Sequence, residues 1–278
     1  MFSNKRKKLD GFGNIFFGNI IAHILSEKYN VGAEYEKMIS IQLATVVDAN
    51  IEKEDNILEN VQFEDNIKEF KNTCIIDNNY IIHLLENNIN ICKDTCYLID
   101  GFCQEPIIVR HIVKYFNNVN NFYCQKIINN NCFKDRYNNN NDLFIHIRAG
   151  DIFSNSNAQL NKTQIYPTYQ FYKKILDKNN YDNIYIASDN IEHELCKKII
   201  ENYKVTIIDK TYLDTLMFGI TCKQIIVSSG SYSFLFALFA IYTKKIYFDN
   251  KAGYIENKHG SRFWHPAYFS ELNSKISS

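Results

Sequence analysis

A histidine and an arginine, two residues apart, stand at the end of an apolar run in the middle of the sequence. The run is Leu143 to Ile147, and Gly150 and Asp151 follow it. Its composition predicts a strand that is buried on both faces and stops at the glycine. His146 and Arg148 should then lie at the carboxyl end of the strand, the edge where open parallel sheets bind ligands.

An arginine at that edge suits a phosphate, because its planar guanidinium donates two parallel hydrogen bonds and keeps its charge. A structural role is equally open. Arg148 would then form a salt bridge with Asp151, and His146 would be a half-buried histidine of the core.

The elements that must position these residues follow a regular pattern from residue 143 onward. Strands are predicted at 143–147, 183–187, 205–208, 224–227 and 245–248, and helices near 167–177, 191–202, 212–219 and 231–243. Strands that alternate with helices in this way predict right-handed crossovers and a parallel, doubly wound sheet.

Polar groups follow two further strands of this predicted sheet. Ser188 and Asp189 follow the second strand, and Ser228, Ser229 and Ser231 follow the fourth and open a helix. Taken singly, each group could simply cap a helix. Their recurrence at one edge favours a nucleotide site, in which backbone N–H groups and hydroxyls hold phosphates.

The N-terminal half is less regular. Gly11 and Gly13 precede a helical apolar pattern at 16–25, so they form either an anion site at a helix N-terminus or an ordinary turn. Residues 34–95 indicate mixed α/β structure, 96–100 a strand, and Pro106 the start of a helix to about Phe116. Asparagine clusters at 129–131 and 138–141 indicate a domain boundary.

Composition excludes several classes of protein. With 31 basic and 31 acidic side chains among 278 residues, no net charge attracts nucleic acid. Eight cysteines without a secretory signal indicate reduced thiols, and serines and a glycine interrupt the most apolar segment, 225–242, so no membrane span is predicted. We therefore expect a soluble, cytoplasmic protein.

The order of motifs resembles the α-1,2-fucosyltransferase family and its wider α-1,6- and protein O-fucosyltransferase relatives. Residues 11–17 are similar to G-L-G-N-Q-M-F, 101–104 to G-Y-W-Q, 146–151 to H-x-R-R-G-D, 188–190 to S-D-D, and 214–234 to the segment that ends in N-S-T-F-S-W. Ala149 stands where the family has its second arginine, and Cys103 where it has an aromatic residue. A basic run at 5–8 replaces the family's first strand.

The resemblance implies an α/β protein of the GT-B type, with two Rossmann-like domains that face a cleft. Residues 1–137 would form the acceptor-side domain and 138–278 the nucleotide-sugar domain, a doubly wound parallel sheet. The activity implied is a transfer of fucose from GDP-fucose to a glycan hydroxyl with inversion and without a metal, by an enzyme of bacterial or viral type. Another nucleotide sugar, such as GDP-mannose or a UDP-sugar, and a binding module without turnover remain alternatives.

The resemblance also implies roles for individual residues. Arg148 should contact the donor diphosphate, and His146 and Asp189 should bind the donor near guanine or ribose. Three serines should lie at the phosphates, namely Ser228, Ser229 and Ser231, and Gly13 and Asn14 should approach the donor from the other domain. Gln104 and Glu105 should lie on the acceptor side. Asp151 or Glu105 could be the general base. The chain contains no D-x-D triplet, so we expect no metal cofactor, and Arg148 with helix N–H groups would stabilise the diphosphate.

Overall fold

The computed structural model describes residues 1–4, 12–34, 70–101, 103–116, 122–150, 167–178, 180–228, 230–249, 255–256 and 262–263. The chain divides into two compact units, Met1–Ile127 and Ile128–Ser278. None of the described helices combines the length and apolar character that crossing a membrane requires.

The first unit contains a four-stranded parallel sheet. Its strands are β1 (Phe2–Ser3), β2 (Ala33–Glu34), β3 (Asn72–Ile76) and β4 (Thr95–Ile99), in the spatial order β2-β1-β4-β3. The helices are α1 (Phe12–Tyr29), α2 (Asn78–Glu86), α3 (Pro106–Phe116) and α4 (Phe122–Asn130), the last of which contains the division between the units. Pro106 opens α3 as predicted, where its missing N–H costs no helical hydrogen bond.

Strand β1 was not predicted. The sequence analysis found only a basic run before Gly11, whereas Phe2 and Ser3 precede that run and pair with both β2 and β4. Phe2 is fully buried and stacks on Tyr97 with ring centroids 5.2 Å apart. A two-residue strand is too short to show the alternation by which strands are predicted from sequence.

The second unit contains a five-stranded sheet in which every pairing is parallel. Its strands are β5 (Leu143–Ile147), β6 (Ile184–Ser188), β7 (Val205–Ile207), β8 (Gln224–Ile226) and β9 (Lys245–Tyr247), in the order β7-β6-β5-β8-β9. The helices are α5 (Tyr169–Leu176), α6 (Glu194–Asn202), α7 (Tyr212–Gly219) and α8 (Ser231–Phe239). The predicted α/β class with a parallel sheet is confirmed. A short antiparallel pair, β10 (Ile255–Glu256) and β11 (Arg262–Phe263), was not predicted.

Strand β5 lies at the centre of this sheet and is buried on both faces. Ile145 and Ile147 belong to one core cluster with residues of α5 and α6. Phe144 points to the opposite face, where its ring lies 5.0 Å from that of Phe236 in α8 and 6.3 Å from that of Phe218 in α7. Helices therefore cover both faces, and the strand order reverses at β5, the point where such sheets bind ligands.

A half-buried ion pair fixes the segment that leads into β5. Arg136 donates to Asp142 Oδ2 over 2.7 Å, and its guanidinium lies 4.4 Å from the ring of Phe218. Asn183 donates to the other oxygen of Asp142 over 2.9 Å. Asn131 also donates to the carbonyl of Met217 over 2.8 Å. Arg136 and Asn131, which precede the predicted division at 137, therefore bond to residues of the second unit.

Candidate functional site

The loop after β5 is held from both sides at the carboxyl edge of the sheet. The amide of Arg148 donates to Ser228 Oγ over 2.9 Å. The amides of Ala149 and Gly150 donate to Asp189 Oδ1 over 2.6 and 2.9 Å. Ser228 follows β8 and Asp189 follows β6, the two neighbours of β5. Three consecutive amides are therefore fixed by side chains from adjacent strand ends.

Asp189 does not cap α6, the structural alternative that the sequence left open. His193 takes that position, because its Nδ1 accepts from the amide of Leu195 over 3.2 Å. Asp189 instead lies against the loop so closely that a Cβ on Gly150 would be 2.9 Å from its Oδ2. A side chain at position 150 would therefore have to displace the carboxylate of Asp189.

The side chain of Arg148 lies over the first turn of α8. A Cβ built on Gly230 would be 3.2 Å from Cδ of Arg148 and 3.6 Å from its Nη1. Gly230 is the N-cap residue of α8, has φ 137° and provides no side-chain cap. A guanidinium and the N–H groups of a helix N-terminus are both positive, so together they favour a bound anion.

His146 lies inside the fold rather than at the mouth of the sheet, where the sequence had placed it. His146 is only 5% exposed, and its Nδ1 forms a hydrogen bond with Ser233 Oγ. The imidazole stacks on Phe236, with centroids 5.1 Å apart, and meets Tyr232 edge-on at 5.0 Å. Burial, with a smaller contribution from the charge of Arg148, lowers the pKa of His146 to about 3. The imidazole is therefore neutral in the folded protein at ordinary pH.

Sequence reasoning missed Ser233. Its side chain is completely buried, and its Oγ lies 3.3 Å from that of Ser228 as well as bonding to His146. The signal was a serine directly before the apolar stretch Phe234–Phe239. A serine that is buried beside such a stretch needs a hydrogen-bond partner inside the fold. Ser231, which the sequence did single out, is the first residue of α8 and is buried.

In the first unit, two of the predicted site residues meet. The side-chain amide of Gln104 donates to Asn14 Oδ1 over 2.7 Å. Gly13 is buried in α1, and Glu105 precedes α3 with its carbonyl accepting from the amide of Val109 over 2.9 Å. Gln104 and Asn14 therefore form one polar pair, while the contacts that Gly13 and Glu105 make with a substrate stay predictions.

Several predicted residues lie outside the described part of the chain, namely Gly11, Phe102, Asp151 and Ser229. The proposed base Asp151 and the phosphate contact of Ser229 therefore stay predictions. Within the described residues, no group of three or more His, Cys, Asp or Glu side chains could hold a metal ion.

Fold and site together define a parallel α/β unit in which Arg148, a fixed loop and the N-terminus of α8 meet at the carboxyl edge of the sheet. No protein-family model and no curated protein match this chain. Among solved structures, the chain is similar to the crystal structure of NodZ alpha-1,6-fucosyltransferase soaked with GDP-fucose. The two are 8% identical over 88% of this chain and 93% of the other, with a TM-score of 0.46. At this low similarity, the functional assignment must rest on the residues of this chain.

Proposed function

We propose that the protein is a glycosyltransferase that moves fucose from GDP-fucose to a glycan hydroxyl, with inversion and without a metal. One observation carries the proposal: the guanidinium of Arg148 lies over Gly230 at the N-terminus of α8, on a loop whose amides are already fixed. This arrangement suits a diphosphate, which presents several oxygens to one fork of donors and one helix end.

The chemistry requires little more than placement and charge. An acceptor oxygen forms a bond to the anomeric carbon as the bond to the β-phosphate oxygen breaks, and the bonding electrons leave with GDP. Arg148 and the α8 N–H groups stabilise the charge that grows on the diphosphate. Asp151 or Glu105 would take the proton of the hydroxyl.

The remaining site residues complete the proposal. Ser228 and Ser231, both buried near the start of α8, border the phosphate position. Asp189 holds the loop and, in this proposal, also turns a carboxylate oxygen toward the ribose or guanine. The acceptor binds the first unit, where Gln104 and Glu105 lie at the start of α3.

The test is a nucleotide panel. Thermal shift with GDP, UDP, GDP-fucose, GDP-mannose and a UDP-sugar is followed by GDP release from GDP-fucose in the presence of glycan acceptors. A ligand at 100 times its Kd stabilises by about 2.7 kcal/mol, so a specific nucleotide gives a clear shift. We expect GDP to stabilise the protein more than UDP does. Arg148→Ala should lose the thermal shift with GDP, whereas Arg110→Ala, at an exposed arginine of α3, should keep it.

Three results would count against the proposal. Equal shifts with GDP and UDP would contradict the guanine preference. Binding of GDP without turnover on any sugar nucleotide would indicate a binding module. A thermal response that survives Arg148→Ala would remove the anion site from the argument.

A further inference from the structure

We propose that His146 is a positioning residue that acts through Ser233 and Ser228 on the backbone of Arg148, and that it does not itself contact the nucleotide. The proposal rests on the proposed function in one respect, namely that Arg148 binds the diphosphate.

Four groups form an unbroken hydrogen-bonded chain. The amide of Arg148 bonds to Ser228 Oγ over 2.9 Å, Ser228 Oγ lies 3.3 Å from Ser233 Oγ, and Ser233 Oγ bonds to His146 Nδ1. His146 and Arg148 are two residues apart at the end of β5, whereas Ser228 follows β8 and Ser233 is in α8. The chain therefore ties three elements to one backbone position.

Only the first bond has a fixed direction, because a backbone amide only donates and Ser228 Oγ therefore accepts from Arg148. Between Ser228 and Ser233 either hydroxyl can donate, and the direction of the bond between Ser233 and His146 depends on the tautomer of the imidazole. In both tautomers His146 Nδ1 is the partner of Ser233 Oγ, so replacing this nitrogen breaks the chain at its end.

The packing around His146 makes it a fixed end point. Phe236 covers a face of the imidazole and Tyr232 meets it edge-on, with centroids 5.1 and 5.0 Å away. Hydroxyl groups rotate freely, whereas this ring has no room to turn. The orientation therefore passes from the ring to Ser233, then to Ser228 and to Arg148. Burial of both serines, 0% and 3% exposed, excludes bulk water as a competing partner.

The two possible roles of His146 predict different ligand responses. Pyrophosphate can reach only the Arg148 and α8 part of the site, whereas GDP also carries the nucleoside. If His146 positions Arg148, then losing the hydrogen bond of Nδ1 to Ser233 weakens the binding of both ligands equally. If His146 contacts guanine or ribose, the same change weakens GDP and leaves pyrophosphate binding unaltered.

The experiment measures Kd for GDP and for pyrophosphate by calorimetry with the chain of 278 residues. The variants are His146→Phe, which keeps a ring without a hydrogen-bonding nitrogen, and Ser233→Ala, which removes one oxygen atom. Thr243→Val is the matched control, since Thr243 is a buried residue whose hydroxyl donates to the carbonyl of Cys222 over 2.8 Å, away from the site. Melting temperatures without ligand are recorded in parallel.

We expect both site variants to weaken GDP and pyrophosphate by about tenfold each, a loss typical of one hydrogen bond. The double variant should lose no more than either single variant, because the chain is broken once. Thr243→Val should lower the melting temperature comparably and leave both Kd values unchanged. Should His146→Phe fail to fold, Ser233→Ala alone decides the question.

Two results would overturn the inference. One is unchanged pyrophosphate affinity in Ser233→Ala while the wild type binds pyrophosphate. The other is a loss of GDP affinity confined to His146→Phe. A wild type that binds neither GDP nor pyrophosphate contradicts the proposed function instead, so the two failures are distinguishable.

Discussion

Arg148 brings a cationic side chain to the positive end of a helix. Its Cδ and Nη1 lie beside Gly230, where the first N–H groups of α8 point outward. A positive charge at a helix N-terminus is unfavourable by about 0.3 to 1 kcal/mol at an exposed site. A bound anion would interact favourably with both positive groups, as the proposed function requires.

Arg148→Lys tests whether the two parallel donors of the guanidinium matter beyond its charge. Lysine keeps the positive charge but loses the two parallel donors, so we expect turnover to fall roughly a hundredfold to a thousandfold. The melting curve without ligand should barely change, and Arg110→Lys on α3 should leave both properties intact. Near-normal GDP release from the lysine variant would show that geometry at Arg148 is unimportant.

His146 should make the stability of the protein depend on pH. Its pKa falls from 6.5 in the unfolded chain to about 3 in the fold, so only the unfolded chain binds the proton between those values. The free energy of unfolding should therefore fall as pH drops from 6.5 toward 3, with a slope approaching ~1.4 kcal/mol per pH unit.

Urea unfolding at neutral and mildly acidic pH measures this slope. His146→Phe has no titrating ring, so the stability difference between wild type and variant should shrink as the pH falls. The other titrating groups cancel in that difference. Parallel pH curves for the two proteins would mean that His146 titrates normally in the fold.

At the scale of single elements, the end of β6 determines how the loop after β5 is held. Asp189 Oδ1 accepts hydrogen bonds from two backbone amides. An asparagine has a side-chain oxygen at the same place that can accept both bonds. We expect Asp189→Asn to keep the wild-type melting temperature, whereas Asp189→Ala should melt lower and bind GDP about tenfold more weakly.

The asparagine variant also separates two roles of Asp189. If the carboxylate only holds the loop, Asp189→Asn binds GDP normally. If its charge also contacts ribose or guanine, as in the proposed function, Asp189→Asn folds normally but loses GDP affinity. Normal stability and normal affinity in Asp189→Ala would contradict both roles.

The start of α8 depends on a glycine. Gly230 has φ 137°, which L side chains rarely adopt, and a Cβ there would press on Arg148 Cδ at 3.2 Å. Gly230→Ala should therefore destabilise the fold by about 1 to 3 kcal/mol and weaken GDP binding. Gly32→Ala is the control, because its Cβ would meet only Met1 Cγ at 3.9 Å. Chemical denaturation and calorimetry measure the two effects, and wild-type values for both would contradict the prediction.

Sequence patterns located these elements but not the bonds between them. Strands β5 to β9 are apolar runs between turns, and each predicted bound lies within one residue of the observed one. That Asp189 reaches the loop depends on Ile147 pairing with Ser188, a register the sequence alone does not provide. The burial of His146 depends likewise on α8 covering that face of the sheet, a tertiary contact without a local signal.

For the whole molecule, the proposed chemistry needs no metal. In the proposed function, positive charge at the diphosphate would come from Arg148 and α8, and the chain has no D-x-D triplet. We expect EDTA to leave GDP release from GDP-fucose unchanged, and added Mg²⁺ or Mn²⁺ to leave it unchanged as well. Complete loss in EDTA that a divalent ion restores would contradict this expectation and assign the charge to a metal.

The burial of Ala149 limits which substitutions the chain can accept at this position. Its side chain is fully buried among the core residues of β5, α5 and α6. An arginine, which the resembled family has there, would place an unpaired charge in apolar surroundings. In a saturation library, position 149 should therefore accept only small apolar residues, however strongly the selection favours phosphate binding. A lineage that needed a second cation for its diphosphate would have to acquire it at another position of the chain.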